Sequence, residues 1–252
     1  MDKQNTRNRT AKKKKKRKKK RYLLKFTLLV LVLAGLYQFL SSSLFDVQQI
    51  TVMDNSYFTP EQIIEIAAAR TGENLFVADT GAMKDKLLAE PYIKNVKIQR
   101  KLPGTIVITL EERREAAAVP NGGKFLLIDP DGMILRETGS EPALTIIHGL
   151  TLLSRAPGTP LSAEENALLA DALTMLKAVE ESELFFKSIE ISTVIIKAHV
   201  YDFLTVEGTP ENIRNNIQAL KDVLADLYKK GIERGVIIIG SDGYVSFNPM
   251  LE

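Results

Sequence analysis

The sequence predicts a single transmembrane α-helix followed by an α+β ectodomain in two parts. Three observations support this fold class. A basic N-terminal run leads directly into an apolar segment that is long enough to cross a bilayer. Strand-like and helix-like segments then follow in the order β-α-α-β-β. The remaining half contains short strands and two longer helical segments, which predicts a mixed β-domain with two covering helices.

The N-terminal segment and the rest of the chain carry opposite charges. Residues 1–25 hold fourteen of the 34 Lys and Arg residues but only one of the 31 Asp and Glu residues, so this segment is +13 and the remainder is −10. Every residue from Lys12 to Arg21 is basic. Such a run buries too little apolar surface to offset its ordering entropy, which predicts a disordered basic tail over residues 1–21.

The apolar segment after this tail predicts a transmembrane helix over residues 22–43. Residues 23–40 are mostly apolar, and about 18 helical residues at ~1.5 Å each nearly cross a ~30 Å hydrocarbon core. Lys20, Arg21 and Lys25 lie at the N-terminal end of this segment, which the positive-inside rule places in the cytoplasm. The sequence therefore predicts a single-pass plasma-membrane protein whose C-terminal region is extracytoplasmic.

Two other interpretations of the N-terminal region have less support. A cleaved signal peptide would use the small residues 41–43, but the apolar segment exceeds the ~7 to 15 residues of a usual signal sequence. Nucleic-acid binding would need only clustered cations, yet no aromatic residue interrupts the basic run. Attraction to anionic lipid, at ~1 kcal/mol per basic residue near the surface, accounts for that run. We therefore expect an uncleaved anchor and no nucleic-acid partner.

Residues 45–113 predict a compact β-α-α-β-β module. The first strand falls at residues 47–52, where β-branched side chains have half-buried spacing. Thr59 and Gln62 form a predicted capping box at the start of the first helix. After a second helix, two alternating segments flank the turn at residues 102–104 and predict a hairpin.

The module also resembles the POTRA domain of the FtsQ/DivIB family of cell-division proteins. Six phrases share their order and spacing with that family: Phe45-Asp46-Val47, Ile50-Thr51-Val52, Asn74-Leu75-Phe76, Pro91-Tyr92-Ile93, Leu102-Pro103-Gly104-Thr105 and Glu111-Glu112-Arg113. One departure is Ala116, near the position where the family often has Pro after its Glu-Arg phrase. The resemblance implies a module that docks other extracytoplasmic proteins.

Residues 114–252 predict the mixed β-domain, which resembles the second domain of the same family. Glycine-containing turns at residues 121–123 and 129–132 separate its first short strands. A capping box at residues 162–165 predicts the start of one covering helix, and apolar spacing predicts a second over residues 210–230. Further strands are expected at residues 189–191, 194–197, 203–206 and 236–239.

The last predicted strand is the candidate partner-binding site, and it consists of Tyr244, Val245, Ser246 and Phe247. A terminal strand that lies at a sheet edge is either protected or available for pairing with a partner's strand. The residues alone leave both alternatives open. The resemblance implies the second alternative, because the family receives a strand and a helix from its FtsB/DivIC partner at this end of the β-domain. The predicted helix over residues 210–230 is a further candidate contact.

The sequence offers no recognisable catalytic pattern. It has no Cys, two His residues, and no HExxH, GxSxG or glycine-rich phosphate motif. His148 and His199 are expected to be satisfied by backbone or water. The carboxylate pairs Glu111-Glu112 and Glu164-Glu165 are expected to form surface salt links or to complement a helix end. We therefore predict no enzymatic activity and no catalytic, cofactor-binding or metal-binding residues.

Together, the residues and the resemblance predict a non-enzymatic scaffold that helps to organise septum formation. The resemblance implies location at the division septum, with FtsB/DivIC and FtsL-type division proteins as partners and the septal peptidoglycan synthase complex as a further contact. Two alternatives stay open. A membrane-anchored cell-wall hydrolase or protease would need a cleft with converging acid, base or nucleophile, and a POTRA-type export component would normally precede a membrane β-barrel.

Overall fold

The structure is a computed structural model that describes residues 3–192 and 195–250, with side chains from Tyr22 onward. The chain forms two compact units that are interleaved along the sequence. The first comprises the chain up to Met53, Thr59–Lys84 and Lys97–Thr109, and the second comprises Asp54–Phe58, Asp85–Val96 and the chain from Leu110 onward. The domain boundary predicted between residues 113 and 114 stays a prediction.

A long helix, α1, spans Lys3–Leu40. Its portion Tyr22–Leu40 is 19 residues long, apolar and fully unburied, so its length and composition suit a membrane span. The helix begins at Lys3, and the disordered tail over residues 1–21 stays a prediction.

The first module has the predicted β-α-α-β-β order: β1 (Gln49–Met53), α2 (Pro60–Ala67), α3 (Thr80–Leu88), β2 (Ile93–Lys101) and β3 (Thr105–Glu112). Its sheet has the order β1-β3-β2, with β1 parallel to β3. The predicted capping box is present at the start of α2. The Thr59 hydroxyl accepts from the Gln62 N–H, and the Gln62 side chain accepts from the Thr59 N–H.

The second part is a mixed β-domain with covering helices, as predicted. Its elements are β4 (Ala117–Asn121), β5 (Lys124–Ile128), β6 (Ile134–Thr138), β7 (Thr145–His148), β8 (Leu152–Ser154), β9 (Ser162–Ala163), α4 (Asn166–Glu181), β10 (Ser188–Ile191), β11 (Ile196–Tyr201), β12 (Phe203–Gly208), α5 (Pro210–Asn215), α6 (Ile217–Lys229), β13 (Arg234–Ile239) and β14 (Val245–Pro249). Among the described residues, nine strands form one sheet in the order β14-β13-β12-β11-β10-β7-β4-β5-β6. The strands β8 and β9 form a separate ribbon.

The core of this domain lies between the sheet and its helices. Buried side chains of α4, α5 and α6 join those of the strands in one apolar cluster, which includes Met175, Ile213 and Leu220 of the helices and Ile189 and Val206 of the strands. Apolar area removed from water stabilises such a cluster by about 25 cal/mol per Å². The helices therefore hold the long sheet in place and leave its two outer strands as edges.

Three details of this domain differ from the sequence prediction. The predicted capping box at residues 162–165 is wrong, because Ser162 and Ala163 pair with β8 and the Glu165 carboxylate accepts from the N–H and hydroxyl of Thr151. The helix predicted over residues 210–230 divides at Asn216 into α5 and α6. The strand predicted from Val194 is β11, which begins at Ile196, and Val194 itself lies outside the described residues.

Candidate partner-binding edge

The last strand, β14, lies at one end of the nine-stranded sheet. It pairs antiparallel with β13, and within the described part of the chain it has a neighbouring strand on that side only. The pairing places Ile239 opposite Val245, Ile238 opposite Ser246, and Ile237 opposite Phe247. An edge of this kind presents backbone donors and acceptors to solvent.

The hydrogen-bond alternation shows which backbone groups face outward. The Gly240 N–H donates to the Tyr244 carbonyl at 3.0 Å, so this carbonyl and, two residues on, the backbone groups of Ser246 face β13. The intervening residues Val245 and Phe247 direct their N–H and C=O groups away from β13. These outward groups are the ones that a further strand would pair with.

The four candidate side chains have different surroundings. Tyr244 precedes β14, is 70% exposed, and has its N–H bonded to the Asp242 carboxylate at 3.1 Å. Val245 and Phe247 are half-buried and pack against the domain core, while the side chain of Ser246 points to the other face of the strand. A partner could therefore reach the Tyr244 ring and the outward backbone groups of β14, whereas the Phe247 ring is packed against the domain core.

Phe247 covers a glycine on the neighbouring strand. Gly235 has φ +145°, and a Cβ placed there would lie 2.5 Å from Cε2 of the Phe247 ring. The ring therefore occupies the space that a side chain at position 235 would fill. Sequence reasoning missed this role, although two apolar residues at positions 245 and 247 with a glycine in the preceding strand are the signal for it.

The helix α6, part of the predicted further contact over residues 210–230, lies beside the edge strand β14. α6 contacts β14, and its Val223 and Leu224 pack against the domain core. On the same helix Tyr228 is 75% exposed. This ring is therefore an exposed aromatic comparison for that of Tyr244, and the contact predicted for the helix over residues 210–230 stays a prediction.

The two His residues lie on the strands that flank β10 in the second unit. The side chain of His148 is exposed at the end of β7, and Nε2 of His199 lies 3.6 Å from the Glu190 carboxylate on the neighbouring strand. Among the described residues, no group of three or more His, Asp or Glu side chains is arranged to hold a metal ion. The second carboxylate pair lies before α4, where Glu165 binds Thr151.

Glu112 has a structural role at the end of β3. Its carboxylate accepts hydrogen bonds from the N–H groups of Ser56 and Tyr57 at 2.6 Å each and from that of Phe58 at 3.2 Å. Burial of the carboxyl raises its pKa, but the N–H donors of Tyr57, Ser56 and Phe58 outweigh that effect and lower the pKa below its usual value. The carboxylate therefore fixes the turn before α2.

We expect Glu112→Gln to lower the free energy of unfolding by roughly 1–2 kcal/mol near neutral pH, because the bonds to a charged acceptor are lost. Since the folded pKa is depressed, this contribution is complete above the unfolded pKa of about 4.3 and is lost as the pH falls through the folded value. Urea unfolding of the full chain at several pH values measures it. Glu111→Gln is the matched control, because the Glu111 carboxylate is 56% exposed and lies 3.5 Å from Lys94. Equal effects of both substitutions at neutral pH would contradict the assignment.

The membrane-topology candidates lie in α1. Lys25 is in the apolar portion of this helix, three residues after the start of that portion at Tyr22. The side chains of Lys20 and Arg21 lie outside the described residues. The helix thus continues from the basic run into the apolar portion, and the orientation that the basic residues imply stays a prediction.

Comparisons with known proteins identify relatives over much of the chain. The family model described as "POTRA domain, FtsQ-type" matches residues 45–113. The chain is 30% identical over 184 residues to the cell division protein DivIB of Clostridium acetobutylicum, covering 71% of this chain and 74% of the relative. It is 31% identical over 136 residues to the cell division protein FtsQ of an Anaeromyxobacter species, covering 54% of this chain and 45% of the relative.

The solved structures that match include the major extracytoplasmic domain of the trans isomer of DivIB from Geobacillus stearothermophilus. The match has a TM-score of 0.32 and 16% identity, and it covers 47% of this chain and 97% of that chain. The resemblance inferred from the sequence phrases is confirmed by the family match and the DivIB relative. From that relative and the FtsQ-type POTRA domain, we conclude that the chain belongs to the FtsQ/DivIB family.

Proposed function

We propose that this chain is a non-enzymatic scaffold of the bacterial division machinery. Its relatives are named as cell division proteins, and family membership implies interactions with other division proteins. The single observation that carries the binding role is the position of β14 at the edge of the nine-stranded sheet. Main-chain pairing at such an edge supplies affinity, and side chains beside it supply specificity.

In this proposal, the chain crosses the plasma membrane once through α1. The basic residues before Tyr22 hold the N-terminus in the cytoplasm, by the positive-inside rule. The POTRA module and the β-domain are then extracytoplasmic, at the division septum. There they recruit and align other division proteins by binding alone, without a chemical step.

The proposed partner at β14 is FtsB/DivIC, which adds a strand to the outward backbone groups of Val245 and Phe247. FtsL-type proteins join the same assembly, and the septal peptidoglycan synthase complex is a further contact. Tyr244 stands at the start of the edge, and exposed tyrosines are common energetic centres of interfaces. The edge and this ring together define the proposed site.

We expect Tyr244→Asp to weaken binding of the FtsB/DivIC extracytoplasmic segment by about 2 kcal/mol, which is roughly thirtyfold in Kd. The full chain is placed in lipid nanodiscs and titrated with the labelled segment. Tyr228→Asp on α6 is the matched comparison, because its ring is 75% exposed against 70% for Tyr244. A loss of binding in Tyr244→Asp but not in Tyr228→Asp would support the edge of β14 as the binding site. Unchanged binding by Tyr244→Asp, or equal loss in both variants, would contradict it.

A further inference from the structure

The end of the first unit next to the membrane span carries exposed apolar side chains on three separate segments. Leu44 follows α1, Phe76 and Val77 lie in the loop between α2 and α3, and Leu102 lies in the turn between β2 and β3. The side chain of Val77 is 72% exposed and that of Phe76 is 45% exposed, and those of Leu44 and Leu102 are also exposed. We call these four residues the juxtamembrane patch.

Contacts within the unit place the loop of this patch against the end of the span. The Asn74 side-chain amide donates to the carbonyl of Leu40, the last residue of α1, at 2.9 Å. The ring of Phe39, inside the span, contacts Phe45 edge-on at a centroid distance of 5.3 Å. Phe45 in turn contacts Phe76 at 5.3 Å. An aromatic series therefore runs from a residue within the membrane span to the exposed ring of the loop.

The loop is held firmly in that position. The Arg100 guanidinium donates to the carbonyls of Leu75 and Ala78 at 2.8 and 2.7 Å, one on each side of the exposed pair. The side chain of Leu75 is fully buried, so it fixes the loop to the core of the unit. The exposure of Phe76 and Val77 is thus built into the loop by contacts on both sides.

The turn at Leu102 lies at the same end of the sheet. Gly104 accepts from the N–H groups of Gln48 and Gln49, at the start of β1, at 2.8 and 3.2 Å. Lys101, beside Leu102, is exposed. An apolar side chain next to a cation suits the headgroup zone, where apolar groups enter the bilayer and cations meet anionic lipid.

We propose that the juxtamembrane patch inserts into the headgroup zone of the leaflet next to Leu40, so that this end of the first unit rests on the membrane surface. The headgroup zone extends roughly 5–7 Å beyond the hydrocarbon core on each side, and Phe76 is two ring contacts from a residue of the span. Lipid is the occupant because the patch is continuous with a helix portion whose own surface is apolar and unburied.

The native sequence contains no Trp, so a single introduced Trp reports one position in the full chain. Phe76→Trp and Val77→Trp place the reporter in the patch, and Leu36→Trp places it in the span. Met53→Trp is the matched control, because Met53 is 47% exposed and lies at the other end of β1, about 13 Å from Gln49 at strand spacing. Each variant is placed in nanodiscs of phosphatidylcholine, with or without bromine on the upper acyl chain.

We expect the Phe76→Trp and Val77→Trp emissions to be blue-shifted and quenched by the brominated lipid, less strongly than Leu36→Trp and more strongly than Met53→Trp. A blue shift without quenching would mean that protein covers the patch, which overturns the proposal. Quenching no stronger than that of Met53→Trp would overturn it as well. Replacing Phe76 could disturb its packing against the unit. Val77→Trp is the control for that effect, because the Val77 side chain is largely exposed.

Discussion

Val245→Pro should weaken binding of the FtsB/DivIC segment by at least about 1.4 kcal/mol, or tenfold in Kd, while the sheet stays folded. The N–H of Val245 faces away from β13, as the bond from Gly240 to Tyr244 requires. Proline removes that outward donor and places its ring where an added strand would lie. Proline is tolerated in edge strands when its ring faces outward, so the pairing with β13 survives.

Ser246→Pro is the matched comparison, one residue further along. Ser246 is opposite Ile238, and its N–H faces β13. Proline at this position removes a bond inside the existing sheet and leaves a carbonyl without its donor, which costs about 1–3 kcal/mol of folding stability. The two variants therefore separate partner binding from folding. Urea unfolding and titration with the labelled segment are measured on both in nanodiscs.

If folded Val245→Pro bound the segment with the wild-type Kd, backbone pairing would not contribute to binding at the proposed site. Binding there would then depend on side-chain contacts alone. Phe247→Asp is a poor test of the same idea, because the Phe247 ring covers Gly235 and packs against the core. We expect that substitution to destabilise the end of the sheet, so any loss of binding would be ambiguous. Deletion after Gly240 shares this problem, since it uncovers β13, whose Ile237 and Ile239 are buried.

Local features of the fold could be predicted from the sequence, and long-range ones could not. The capping box at Thr59 depends on residues three positions apart, so its pattern is complete within one segment. The pattern at Ser162 looks the same, but Ser162 and Ala163 pair with β8 and the helix begins later. Nothing local in the sequence distinguishes the two cases, because the difference lies in a partner strand eight residues or more away.

In the candidate site, too, the local features could be predicted from the sequence and the long-range ones could not. A last strand at Tyr244 to Phe247 could be predicted from alternation and turn residues, apart from its start at Val245. Its place at the edge depends on the order of the whole sheet, in which β7 lies between β4 and β10. The inward packing of Phe247 depends on the register with β13. A shift of one residue in that register would turn the ring to the other face.

A buried charged pair, Arg113 and Asp129, lies in the second unit. The Asp129 carboxylate is almost fully buried and pairs with the Arg113 guanidinium, whose side chain is 14% exposed. The other carboxylate oxygen of Asp129 accepts from the N–H groups of Asp131 and Met133 at 2.9 and 2.8 Å. The pair therefore joins the end of β3 to the turn between β5 and β6.

We expect Arg113→Met to lower the free energy of unfolding by about 3–5 kcal/mol, because a buried carboxylate would lose its cation. Arg114→Met is a close control that removes the same charge one residue away. Arg114 pairs with Glu180 at an exposed site, with 65% and 44% of the two side chains exposed, so its loss should cost at most about 1 kcal/mol. Urea unfolding of both variants in the full chain, followed by circular dichroism, measures the difference. If Arg113→Met costs no more than Arg114→Met, the buried pair does not hold this turn, and the backbone donors to Asp129 suffice.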